Sequence, residues 1–98
     1  MEYNYLIIDS DVATNLQLQH LMEDFEEFYC AGVASDTTDG INAILKFSPD
    51  VVFVNLNDNA EKYFRMVAEL YQYIQDIPIL IGISKSKQFA YEAIKNNF

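Results

Sequence analysis

Two groups of polar residues stand directly after apolar runs, where a buried strand would hand its last side chains to solvent. The first is Asp9, Ser10 and Asp11, following YLII, and the second is Asn55, Asn57, Asp58 and Asn59, following VVFV. Carboxylates in such places hold hard cations such as Mg²⁺ or accept a phosphoryl group. Here the second group offers three amides and a single acid. Serine and asparagine bind a divalent cation weakly, and an amide is neither an anionic nucleophile nor able to carry a stable acyl phosphate. Asp9 and Asp11 therefore form at most a weak cation remnant. A simpler role is also open, because Ser10 or Asp11 can cap a following helix, and Asn57, Asp58 or Asn59 can do the same further on. A third polar position, Ser84, follows the apolar run ILIGI.

The elements that would position these residues follow from periodicity. Tyr5 to Ile8 reads as a strand, and Leu18, Leu21, Met22 and Phe25 fall on one helical face. Tyr29 to Ala34 gives a second strand. After SDTTDG, Ile41, Ile44 and Leu45 mark a helix that must end before Pro49. Val51 to Leu56 is a third strand. Ala60, Tyr63, Phe64, Val67, Tyr71 and Ile74 form a helical stripe, more simply a core face than a ligand box. Pro78 introduces the fourth strand, and Phe89, Ala90, Ala93 and Ile94 mark a fourth helix. Four strand–helix units in alternation predict an α/β fold, a doubly wound parallel sheet with helices on both faces. In such sheets functional groups collect beyond the carboxyl ends of the strands, which is where all three polar positions fall.

Composition limits the rest. The 98 residues, 51% of them hydrophobic, suffice for one domain spanning residues 1–98. No apolar run approaches the roughly 18 residues of a membrane span, and no secretory signal is visible at Met1 to Tyr5, so a cytoplasmic location without membrane contact is expected. The lone Cys30, within FYCAGVA, reads as a buried, inert thiol. His20 falls on the polar side of the first helix and reads as a surface residue rather than a phosphohistidine. The net charge of −9 lies wholly in the first half: nine carboxylates and no Lys or Arg precede Lys46, and six of each sign follow from there. Such a surface repels phosphate backbones, so nucleic-acid binding by this chain is not expected, while basic protein partners or divalent cations are favoured.

In order and spacing, LIIDSD, PDVVFVNLN and PILIGIS resemble the acidic cluster, phosphoacceptor strand and switch-hydroxyl strand of response-regulator receiver domains of two-component signalling. QFAYEAIKNNF resembles the fourth helix of receivers from the LytTR-type branch, whose separate output domain binds DNA. The resemblance runs from Tyr5 to the carboxyl end. It implies a flavodoxin- or receiver-like (βα)4 arrangement with strand order 2-1-3-4, and a histidine kinase or an output domain as protein partner. Residue by residue it places Asn55 on the phosphoacceptor aspartate, Asp9 and Ser10 on the acidic pair, Asn57 on the residue whose backbone carbonyl reaches the metal, and Ser84 on the switch hydroxyl. The fifth strand, with its active-site lysine, and the fifth helix have no counterpart; Lys85 and Lys87 read as loop residues. The expectation is a truncated, degenerate receiver that is not an enzyme, needs no cofactor, binds Mg²⁺ weakly or not at all, and acts by protein contacts. Its fourth strand would form an apolar edge, giving a homodimer with Ile79, Ile81 and Ile83, or Phe89 and Ile94, near the contact. Two alternatives remain: the receiver part of a longer DNA-binding regulator, or a flavodoxin-like small-ligand binder. The latter lacks a Gly-rich or Ser/Thr-rich phosphate loop after the first strand.

Overall fold

The computed structural model describes residues 2–56 and 60–83. The elements run β1 (Tyr3–Ile8), α1 (Val12–Met22), β2 (Phe28–Ala34), α2 (Thr37–Phe47), β3 (Val51–Asn55), α3 (Ala60–Leu70) and β4 (Ile79–Ile83). All strand pairs are parallel, as the alternation of elements predicts, in the order β2-β1-β3-β4 that the resemblance implies. Asn57 to Asn59, and the fourth helix expected around Phe89 to Ile94, lie outside the described residues.

The period-two alternation of strand side chains sorts the core onto two faces. Leu6, Ile8, Val52, Val54 and Leu80 face α2 and α3, where they pack with Ile44, Tyr63, Phe64, Met66, Val67 and Leu70. Tyr5, Ile7 and Val51 face the other way and pack with Met22 of α1, with Leu18, Phe28 and Phe53 at the margin. Among the described residues helices thus cover both faces, unequally: two amphipathic helices on one side, and α1 on the other.

Helix α1 departs from the expected stripe. It stops at Met22, ahead of Glu23 and Asp24, whose carboxylates oppose the negative carboxyl end of a helix. Phe25 therefore falls in a turn, its N–H bonded to the Met22 carbonyl at 3.0 Å, and its ring is exposed. Leu21 is 58% exposed, as are Val12 and Leu16 at similar levels, so of its larger apolar residues α1 buries only Met22 fully and Leu18 in part. Helix α2 ends as Pro49 requires. Ser48 takes the left-handed conformation with φ 46° and its N–H caps the Ile44 carbonyl at 2.9 Å. Leu45 lies on the exposed side of that helix and Tyr71 beyond the end of α3, so neither belongs to the core.

At the amino ends of the strands Asn4 and Asp50 clasp each other. The Asn4 N–H donates to Asp50 Oδ2 and the Asp50 N–H to Asn4 Oδ1, both at 2.9 Å. This ties β1 to the entry of β3 and fixes the register that sets their carboxyl ends side by side.

Cys30 is exposed rather than buried. It sits on β2, an edge strand, opposite Tyr5 of β1, and its thiol contacts the Gly32 carbonyl at 3.5 Å. Its apolar neighbours in sequence suggest a core position, but an edge strand with an irregular register leaves it facing solvent.

Candidate functional site at the carboxyl ends of the strands

Pairing of Ile8 with Val54 carries Asp9 and Asn55 to adjacent positions at the carboxyl edge of the sheet. Both are buried, at 5% and 8% exposure, and they are the buried polar residues among those described. A buried carboxylate must be hydrogen-bonded. Asp9 Oδ1 meets this twice, accepting from the Asp11 N–H at 2.8 Å and from the Asn55 side-chain amide, Nδ2, at 3.1 Å. The Asp9 backbone N–H donates to the Ala34 carbonyl at 2.9 Å, which ties the site to β2. Asn55 thus turns its donating end toward Asp9, the buried acid among the described residues.

The remaining residues of the first polar group are placed differently. Ser10 is exposed. Asp11 is the N-cap of α1: Oδ1 accepts from the Ala13 N–H at 3.0 Å, and Oδ2 from the Thr14 hydroxyl at 3.0 Å. The capping alternative is therefore the geometry observed for Asp11. Asn57 and Ser84 lie outside the described residues, as do Asp58, Lys85 and Lys87. His20 is exposed on α1 beside Glu23, at 3.4 Å, with no place in the site.

A divalent cation of the Mg²⁺ type takes about six oxygens in near-octahedral geometry. Among the described residues the arrangement does not fit that demand: Asp9 Oδ1 is engaged by two donors, Asn55 presents N–H to Asp9, and both Asp11 oxygens are engaged in capping. Among the described residues no cluster of three His, Cys, Asp or Glu side chains is assembled. Nor does Asn55 supply an anionic oxygen for phosphoryl attack. Among the described residues, Asp9 and Asn55 form a hydrogen-bonded floor joining β1 and β3.

The contact between Asn55 and Asp9 is the feature that motif reading missed. It was accessible in principle, because a 2-1-3 strand order makes the last residues of the first and third strands neighbours. A cavity of about 680 Å³ lies at the opposite pole, lined by Ile44, Leu45, Ser48, Asp50, Ile74, Asp76, Ile79 and neighbouring residues. With a strand rise of about 3.3 Å per residue, the five residues of β3 separate it from Asn55 by roughly 16 Å, so it is not part of this site.

No family model matches the chain. It is 22% identical over 90 residues to the sensory transduction protein LytT of Bacillus anthracis, a match that covers 92% of this chain and 36% of that protein. Solved structures give a stronger likeness of shape. The isolated REC domain of RcsB from Salmonella enterica serovar Typhimurium, with the phosphomimetic BeF3⁻, is similar with a TM-score of 0.78 and 15% identity, over 100% of this chain and 74% of that one. The response regulator domain of CheB from Thermotoga maritima gives 0.78 and 13%, over 99% and 74%. A DNA-binding response regulator of the LuxR family from Staphylococcus aureus gives 0.74 and 14%, over 97% and 80%. With its parallel 2-1-3-4 sheet and helices on both faces, the chain has the fold of response-regulator receiver domains.

Proposed function

We propose that this chain is a receiver-like signalling domain of a two-component pathway that does not accept phosphate and acts through protein contacts. The observation that carries this reading is Asn55, at the end of β3, donating to Asp9. In a receiver that position supplies the nucleophilic carboxylate and Asp9 helps to hold the metal. Here an amide replaces the nucleophile and donates to one oxygen of the remaining acid, Asp9 Oδ1. The site keeps the architecture of the family and lacks its reactive oxygen, so the domain is not an enzyme and binds Mg²⁺ weakly or not at all. Its partners are proteins of the pathway, a histidine kinase or an output domain, together with a second copy of itself, and its location is cytoplasmic. Among the described residues no helix is long and apolar enough to cross a membrane.

Incubation with acetyl phosphate and Mg²⁺, followed by intact-mass analysis, tests the reading. No phosphate adduct is expected. A stable adduct on Asp9, Asp11 or Asp58 overturns it.

A second reading is favoured by the relatives. The match to LytT spans 36% of that protein, and the Staphylococcus aureus structure is described as a DNA-binding regulator. The domain would then serve as the receiver part of a longer regulator whose DNA contacts lie outside these 98 residues. A native open reading frame that continues into a basic domain decides for it.

A further inference from the structure

The cavity of about 680 Å³ at the amino ends of the strands has the volume of a small-molecule site and lies at the pole remote from Asp9 and Asn55. Two stretches of the described chain, within residues 44–50 and 74–79, make its wall. Ile44 and Pro49, both buried, and Ile74 and Ile77, both half-buried, supply its apolar part. Asp50 and Asp76 stand in the same wall.

Both sides of the cavity are held by the fold. Ser48 ends α2 in the left-handed conformation, Pro49 restricts the next step of the chain, and the clasp with Asn4 holds Asp50 to β1. On the other side the Ile74 N–H donates to the Leu70 carbonyl at 3.1 Å, just beyond α3, and Pro78 restricts the entry to β4. A cavity between such walls needs little rearrangement to take a ligand.

The field at this pole has one sign. Crossover helices of a parallel sheet run back against the strands, so α2 and α3 both bring their negative carboxyl ends to the amino pole, beside the cavity. The two carboxylates add to that potential. Asp50 accepts from the Asn4 N–H through Oδ2, and among the described residues neither its Oδ1 nor the Asp76 carboxylate has a hydrogen-bond or ion-pair partner. No Lys, Arg or His stands in the described wall. The base closest in sequence, Lys46, holds its ammonium 5.2 Å from the centre of the Phe47 ring, which packs against Gly32 of β2.

We infer that this cavity is a binding site for a small organic cation, a primary ammonium on a short apolar body. The ammonium meets Asp50 and Asp76 below the helix ends, and the body lies on Ile44, Ile74 and Ile77. An anion of the same shape is repelled. A bare divalent cation finds too few oxygens, since it takes about six and no three His, Cys, Asp or Glu side chains converge among the described residues. The site uses neither Asp9 nor Asn55, so it stands or falls separately from the silent-receiver reading.

Titration of the full 98-residue chain with phenethylamine, followed in two-dimensional amide NMR spectra at neutral pH, tests this. Saturable shifts are expected at residues 44–50 and 74–79. Their dissociation constant should be roughly 1 mM, as suits so small a ligand. Phenylacetate, an anion with the same ring, should bind at least about tenfold more weakly. Methylamine, which lacks the apolar body, should give no saturable shift at these residues. Asp76→Asn, at an exposed position, should leave the unliganded spectrum otherwise intact and weaken phenethylamine roughly two- to fivefold. Equal binding of phenylacetate, or amine shifts centred on Glu23 to Glu27 in place of the cavity wall, overturns the proposal. So does the absence of saturable shifts, as results if residues 84–98 fill the cavity.

Discussion

The side-chain amide of Asn55 donates to Oδ1 of Asp9 at 3.1 Å, across the floor between β1 and β3. One hydrogen bond thereby replaces the repulsion that two carboxylates at this separation would feel.

Substituting Asn55→Asp tests that relationship. Two buried carboxylates about 3 Å apart do not both ionise readily, so one acquires a raised folded-state pKa. The variant should lose on the order of 1–3 kcal/mol at neutral pH. Because the raised group favours the protonated folded state, the loss should shrink as pH falls through its folded value, and Mg²⁺ should offset it in part. Urea unfolding at neutral and mildly acidic pH, with and without Mg²⁺, reads this directly. An unchanged midpoint under all conditions contradicts the assignment. Phosphorylation by small donors should recover little, because Ser10 still stands in place of the second acid.

Asp11→Ala removes the cap of α1, which engages the Ala13 N–H and the Thr14 hydroxyl. The expected cost is about 0.5–2 kcal/mol. Asp11→Asn, which keeps a cap acceptor, should cost distinctly less. Should the two variants unfold alike, the carboxylate of Asp11 serves something other than capping.

Burial first, and then the neighbouring Cys30 thiol, hold the Tyr5 phenol above its ordinary value of 10.0. A group whose folded pKa is raised contributes stability that is complete below its unfolded value and is lost as pH rises through the folded one. Stability should therefore fall above about pH 10, and Tyr5→Phe should flatten that fall. Ultraviolet titration of the phenols, compared between the two proteins, should show the missing transition at the high end.

Ser48 carries a Cβ in the left-handed region at φ 46°. Ser48→Gly removes a strain of about 1 kcal/mol, partly offset by the greater freedom of the unfolded chain. The net effect should be a gain of a few tenths to about 1 kcal/mol in thermal or urea unfolding. A destabilised Ser48→Gly would show that the hydroxyl, rather than the backbone, secures this turn.

Local pattern carried most of the architecture. Short apolar runs alternating with amphipathic segments dictate a parallel sheet, because parallel neighbours need crossovers, and the run of Tyr5 to Ile8 and the stripe from Ala60 to Val67 occupy the core their spacing implies. The identities of Asn55 and Asp9, and their place at strand ends, were legible for the same reason. What the letters did not contain is how elements distant in sequence share solvent. Phe25 and Leu21 fit a helical face on paper, but α1 stops at Met22 and only part of its surface meets the sheet. Cys30 sits among apolar residues, but burial depends on which strand lies at the edge. Which way the amide of Asn55 turns is decided by a hydrogen bond formed only once β1 and β3 lie side by side, 46 residues apart in the chain, whereas Asp11 caps α1 through contacts two and three residues further on. Periodicity reports the face a residue belongs to; only the packed molecule decides what stands against that face.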